Sequence, residues 1–186
     1  MVDGHHKISL CNEPILYRWK CFSMKGLDNT TNLVLYIISN VIALMMLLAA
    51  WKNVRLARLF FFLIFSWASW TNWKTALFSP QTYLGEADLT FFAFYREFIL
   101  GWFSQHITEA VGFIATCQAL IAISMLLKGW CLKAGSIGAI LFLLAIAPFG
   151  VGSAFPCTVI LAAGMYLIVR GSGHTFLWMR NKYKLA

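Results

Sequence analysis

From Leu33 to Trp51 the chain is apolar except for Ser39 and Asn40. A helix needs roughly 20 such residues to cross the ~30 Å hydrocarbon core of a bilayer. Comparable runs follow at Leu56–Phe78, Ile107–Leu127, Ala134–Val151 and Phe155–Val169. In hydrocarbon every backbone N–H and C=O must find its partner within the protein, which leaves helices for runs of this kind. The pattern predicts an all-α, multi-span transmembrane helix bundle with five crossings. Composition agrees. Hydrophobic residues make up 60% of the 186 and charged residues 12%, against about 45–50% and about 25% in soluble domains. So few charges do not cover a water-facing surface.

The short loops carry the charge. Lys52, Arg55 and Arg58 follow the first run, Lys128 and Lys133 the third, and Arg170, Arg180, Lys182 and Lys184 the fifth. The loop after the second run instead holds Glu86, Asp88 and Glu97 with Arg96, and the final turn around Gly152 and Ser153 holds none. Basic and non-basic loops alternate, as five crossings require. The positive-inside rule then places the C-terminus in the cytoplasm and the N-terminus on the opposite side, in a membrane the sequence does not name. Arg58, Lys128, Lys133 and Arg170 read as topology anchors. The net charge of +8 lies in these loops, so it points to anionic lipid and not to nucleic acid.

The expected organisation is a polar N-terminal tail (1–31), an N-terminal transmembrane helix (32–52), a membrane core (53–170) and a basic C-terminal tail (171–186). The tail has no apolar stretch of the signal-peptide kind. It carries Lys7, Arg18, Lys20 and Lys25, so the tail would lie inside if the first run did not span. Residues 89–103 are aromatic but interrupted by Arg96 and Glu97, which fits an interfacial or re-entrant segment. Trp67, Trp70 and Trp73 suggest an interfacial belt. Gly112, Ala115, Ala119 and Ala122 form a small-residue stripe suited to close helix packing, as do Gly135, Gly138 and Ala162–Gly164.

Ionisable groups at membrane depth are costly and are candidate functional groups. Lys74 and Glu109 fall at the same end of neighbouring antiparallel spans, where an ion pair would offset their desolvation. His106, three residues before Glu109, shares its helix face and would relay a proton or meet a polar head group. The bland alternative is that Lys74 snorkels to the interface and Glu109 answers the helix dipole. The five cysteines make no metal-binding pattern, and no metal site is expected. Cys11 and Cys21 pair only if the tail lies in an oxidising space. His5 and His6, in the tail, are expected to bind metal only adventitiously, His174 reads as solvated, and the Asn29-Thr30-Thr31 sequon matters only in a secretory compartment. No GxSxG, HExxH or P-loop pattern occurs, so no motif fixes a reaction.

The second run reads Arg58-Leu59-Phe60-Phe61 and then Ser69-Trp70-Thr71-Asn72-Trp73-Lys74, and the third opens Thr108-Glu109-Ala110-Val111-Gly112. This resembles the DoxX-like superfamily of small membrane proteins, over residues 56–169. Its four-helix core opens on an Arg, reaches a Lys about four turns later and starts its second helix with a Glu followed by glycines. Asn72 and Trp73 stand where the family has a glycine before the lysine. The resemblance implies a four-helix core plus one N-terminal transmembrane helix, with Arg58, Lys74 and Glu109 as the matching polar positions. The expected function is an accessory or assembly protein contacting other membrane proteins, or further copies of itself, through its helices. One alternative is a redox-linked subunit binding a quinone or lipid head group near Lys74, His106 and Glu109, although no cofactor motif is present. The other is a small transporter, against which stands the lack of an internal repeat.

Overall fold

The computed structural model describes residues 30–90 and 92–171. The tail features, including Cys11, Cys21, His5, His6, Asn29 and His174, lie outside these residues. The chain forms an all-helical bundle: α1 (Thr30–Lys52), α2 (Val54–Phe78), a 3-10 helix (Pro80–Asp88), the short α3 (Ala93–Phe98) running into a wider turn (Ile99–Phe103), α4 (Ile107–Leu126), α5 (Trp130–Ile146), a second 3-10 helix (Ala147–Ser153) and α6 (Cys157–Gly171).

Local chemistry sets the breaks. Asn53 adopts an extended backbone, and its side-chain oxygen accepts from the N–H groups of Arg55 and Leu56 at 3.1 and 3.2 Å. That cap ends α1 and starts α2 at one residue. Pro80 has no N–H to offer a continuing helix and opens the first 3-10 helix. Gly129, at φ 63° and ψ −132°, takes the α4–α5 turn through a conformation barred to residues with a Cβ. Pro148 starts the second 3-10 helix, and Gly150 breaks it at φ 67°.

The helices close into a ring in the spatial order α1, α2, α4, α5, α6, with α2 and α4 the most extensively packed pair. One core draws on all five, including Met46 and Ala50 of α1, Phe61 and Phe65 of α2, Met125 of α4, Leu132 and Leu143 of α5, and Met165 and Ile168 of α6. The N-terminal helix packs on α6 and α2. Asn40 Nδ2 also donates to the Ala154 carbonyl at 3.1 Å. Small residues permit the close approaches. A Cβ on Gly112 would stand 3.1 Å from the Trp73 ring, and one on Gly164 would stand 3.3 Å from Phe61.

The outside of the bundle is apolar. Leu35, Met45, Leu63, Trp67, Phe113, Leu120 and Leu141 are all more than half exposed. Water would not tolerate that surface, and lipid covers it without cost. Four helical stretches are long and apolar enough to cross a membrane: Thr30–Lys52, Val54–Phe78, Ile107–Leu126 and Trp130–Ser153. The chain is a multi-pass membrane protein. The expected fifth crossing corresponds to α6, whose 15 residues span only about 22 Å at 1.5 Å per residue. Its neighbours show why it is short. Asn40, near the middle of α1, is level with Ala154, while Val54 lies against Gly171 at the other end. The α5–α6 hairpin therefore turns back near the mid-level of α1.

At the α4–α5 contact, a Cβ on Gly135 would overlap the Ser124 side chain. Gly135→Ala is expected to destabilise the bundle by about 1–3 kcal/mol, the usual range for overpacking. Thermal unfolding in detergent measures it. Adding Ser124→Gly should restore most of the loss, because it removes the atoms that collide.

Candidate functional site

The two ends of the bundle differ in charge. Lys52, Arg55, Lys128, Lys133 and Arg170 gather at the end formed by the α1–α2 turn, the α4–α5 turn and the end of α6. Among the described residues no acidic group joins them. Glu86, Glu97 and Glu109 lie at the other end with Lys74 and Arg96.

At that acidic end, residues 80–103 fold over the tip of the short hairpin. Thr90 Oγ1 donates to the Pro148 carbonyl and the Tyr95 hydroxyl to the Ala145 carbonyl, each at 3.2 Å. The Tyr95 and Phe149 rings meet edge to face at 5.0 Å. A second apolar cluster of Ala76, Ile107 and Val111, with Tyr83, Leu84 and Phe103 against it, fixes the same segment to α2 and α4.

Beneath this cover lies a cavity of about 420 Å³. Its walls are mostly apolar, among them Ile99, Phe103, Ile114, Phe142 and Phe149. Its polar side is a linked set. Asn72 Nδ2 donates to Gln118 Oε1 at 2.8 Å, and the Tyr83 hydroxyl donates to Asn72 Oδ1 at 2.9 Å. Gln118 lies 11 residues into the 20-residue α4, about 16 Å from its start, which is mid-span. Gln118 lines the cavity, and its Nε2 enters no hydrogen bond among the described residues. A chain of three polar side chains thus leaves one amide donor free for a guest.

Glu86 completes the polar side. It lies so close to the hairpin tip that a Cβ on Gly152 would overlap its carboxyl. Burial pushes the Glu86 pKa above its ordinary 4.5. The Tyr83 phenol is also raised, by burial first and then by the Glu86 charge, against the lowering effect of its bond to Thr75. The fold therefore favours protonated Glu86. Its contribution to stability is complete below pH 4.5 and is lost as pH rises through the raised value. Unfolding profiles in detergent should show stability falling over that window in the wild type. Glu86→Gln is expected to flatten the fall, and an unchanged slope would assign it to another group.

The residues expected from the sequence sit elsewhere. Lys74 and Glu109 are at one end of the packed α2–α4 pair, but both side chains are exposed and form no ion pair among the described residues. The contact face there is occupied by Trp73 against Gly112 and by Thr108, whose hydroxyl donates to the Ala76 carbonyl at 3.2 Å. At about 100° per residue, Lys74 points some 160° away from Asn72, and Glu109 some 180° away from Gln118. His106 precedes α4, its ring stacked on Trp102 at 4.8 Å and its Nδ1 3.0 Å from the Trp102 carbonyl.

Arg58, expected as a topology anchor, is 1% exposed and lies inside the bundle. Its Nε donates to the Met125 carbonyl at 2.9 Å and its Nη2 to the Leu127 carbonyl. It ties α2 to the unpaired carbonyls at the end of α4. Lys128 and Lys133 are exposed at the basic end, and Arg170 lies 5.9 Å from the Tyr166 ring.

Reasoning from charge missed Asn72 and Gln118. Uncharged amides within apolar runs were the available signal, since such groups bond across membrane helices.

Fold and cavity together define a multi-pass helical membrane protein with a mostly apolar chamber, polar on one side, at one end. No family model, no curated protein and no solved structure matches the chain.

Proposed function

We propose that the protein binds an amphiphile, a molecule with a hydrogen-bonding head and an apolar body, in the cavity under residues 80–103. The observation that carries this reading is the hydrogen-bonded set of Tyr83, Asn72 and Gln118 lining a chamber that is otherwise mostly apolar. The amide suits a carbonyl or hydroxyl head, Glu86 in its protonated form offers a second donor, and the aromatic walls suit a ring or chain. A quinone or the head of a neutral lipid meets these requirements. In this reading the protein holds and presents its guest to a membrane partner. The test is gentle purification followed by extraction and mass spectrometry of bound small molecules. A stoichiometric amphiphile that raises the unfolding temperature when added back is expected. Protein that carries none, and that no quinone or neutral lipid stabilises, overturns the reading.

A second reading, an accessory role through helix contacts, is favoured by Trp67 and Trp70. They are 69% and 70% exposed, and Trp67 sits at the middle of the 25-residue α2, away from the helix ends where an interfacial belt would lie. An aromatic patch at that level suits another protein's helix. Trp67→Leu with Trp70→Leu should then release co-purifying membrane proteins, and an unchanged set of partners argues against it.

A further inference from the structure

We propose that a proton on Glu86 closes the cavity: while the carboxyl is neutral, residues 80–103 seat on the hairpin tip, and its ionisation lifts them and opens the chamber. The seam between cover and tip stands on the geometry alone. That an amphiphile leaves through it rests on the reading above.

The cover is held unequally on its two sides. Toward α2 and α4 it is fixed by the apolar cluster of Ala76, Ile107 and Val111 with Tyr83, Leu84 and Phe103. Toward the α5–α6 hairpin it is held by the hydroxyls of Thr90 and Tyr95, each donating at 3.2 Å, and by the Tyr95–Phe149 ring pair. Those bonds are longer than the about 2.5–3.0 Å usual for a hydroxyl donor. The hairpin side is therefore the one that parts. Glu86 sits in that seam. Its carboxyl lies against Gly152, closely enough that a Cβ there would overlap it, and Leu89 packs beside it. Glu86, Phe149, Gly152 and Ser153 border the chamber together.

Among the described residues the Glu86 carboxyl enters no hydrogen bond or ion pair. The hairpin tip (147–153) and the wide turn (99–103) carry no titratable side chain. Of the helices packed on the 3-10 helix, α2 brings Lys74, the short α3 brings Arg96 and Glu97, and α4 brings Glu109, all exposed. His106, before α4, is stacked on Trp102, and the Tyr95 hydroxyl is engaged with Ala145. Glu86 shares its own helix with Asp88 and with Tyr83, whose phenol is raised further above 10 and stays protonated near neutral pH. A carboxylate without a partner bears its desolvation uncompensated. Returning it to water means lifting the 3-10 helix off Gly152. Burial is what raises the carboxyl above its ordinary 4.5. Closure is thus complete below that ordinary value and is lost as pH rises through the raised one.

The test is hydrogen–deuterium exchange of the full chain in detergent, wild type beside Glu86→Gln, from about pH 5 to about pH 9, a range that brackets carboxyls raised by burial. Comparing the two proteins at each pH cancels the intrinsic pH dependence of exchange. Peptides over 86–95 and 145–152 should exchange alike in both at the lowest pH. Above the raised value the wild type should pull ahead by up to about tenfold per pH unit, while Glu86→Gln stays protected. Tyr95→Phe, which removes one bond of the seam, should speed exchange at every pH and leave that slope unchanged. Retention of decylubiquinone over the same range should fall with pH in the wild type and stay level in Glu86→Gln. Equal exchange in wild type and Glu86→Gln across the range overturns the proposal; retained decylubiquinone would then leave the amphiphile reading standing. The expected exchange, with neither decylubiquinone nor monoolein retained at any pH, supports the gate and removes the amphiphile reading.

Discussion

Arg58→Ala is expected to destabilise the bundle by about 3–6 kcal/mol, the sum of two hydrogen bonds from a charged donor at about 1.5–3 kcal/mol each. The guanidinium lies inside the bundle and donates to the Met125 and Leu127 carbonyls. Those carbonyls stand at the end of α4, where no further turn supplies N–H groups. Alanine leaves them unpaired and opens a void beside Met125, so the penalties of lost bonds and lost packing act together. Lysine should not rescue the fold, because an ammonium on a flexible stem cannot match a planar fork. Thermal unfolding in detergent measures the effect. An Arg58→Lys protein as stable as the wild type would show that charge alone, and not the forked geometry, holds α2 to α4.

Gln118→Leu is expected to weaken retention of the cavity's guest by about 10–100-fold, the equivalent of a lost hydrogen bond plus an amide left unpaired. Leucine preserves much of the volume, so packing changes little. It removes the free donor and also strips Asn72 Nδ2 of its partner at 2.8 Å. The fold itself should lose only about 0.6–1.7 kcal/mol, the measured scale for polar contacts between membrane helices. A large binding loss with a small stability loss separates a site from a structural contact. Lys74→Met and Glu109→Gln serve as controls. Both side chains point away from the cavity, so both variants should retain the guest. If they lose it and Gln118→Leu does not, the site belongs at the surface pair.

Much of the fold was legible in the residues. The helices begin and end within a few residues of the apolar runs, because lipid demands continuous apolar length. The exact breaks were set by capping at Asn53, missing donors at Pro80 and Pro148 and backbone freedom at Gly129, which the apolar pattern alone does not mark. The polar cavity was not legible. Lys74 and Glu109 drew notice as charges in apolar surroundings, but charge does not reveal which face of a helix looks inward. Asn72 and Gln118 form the inward pair, 46 positions apart, and only the packing of α2 on α4 brings them together.

The amino-acid sequence by itself determined a helical, multi-pass chain with most of its loop basic residues at one end, since length, apolarity and loop charge act locally and need no neighbour. Tertiary structure decided the rest. It made Arg58 a buried tie between α2 and α4, since only the docking of α4 supplies its acceptor carbonyls. It stopped the α5–α6 hairpin near the mid-level of α1 and laid residues 80–103 across its tip. The space left between them, and the side chains that face it, depend on contacts between distant segments, which no local pattern encodes.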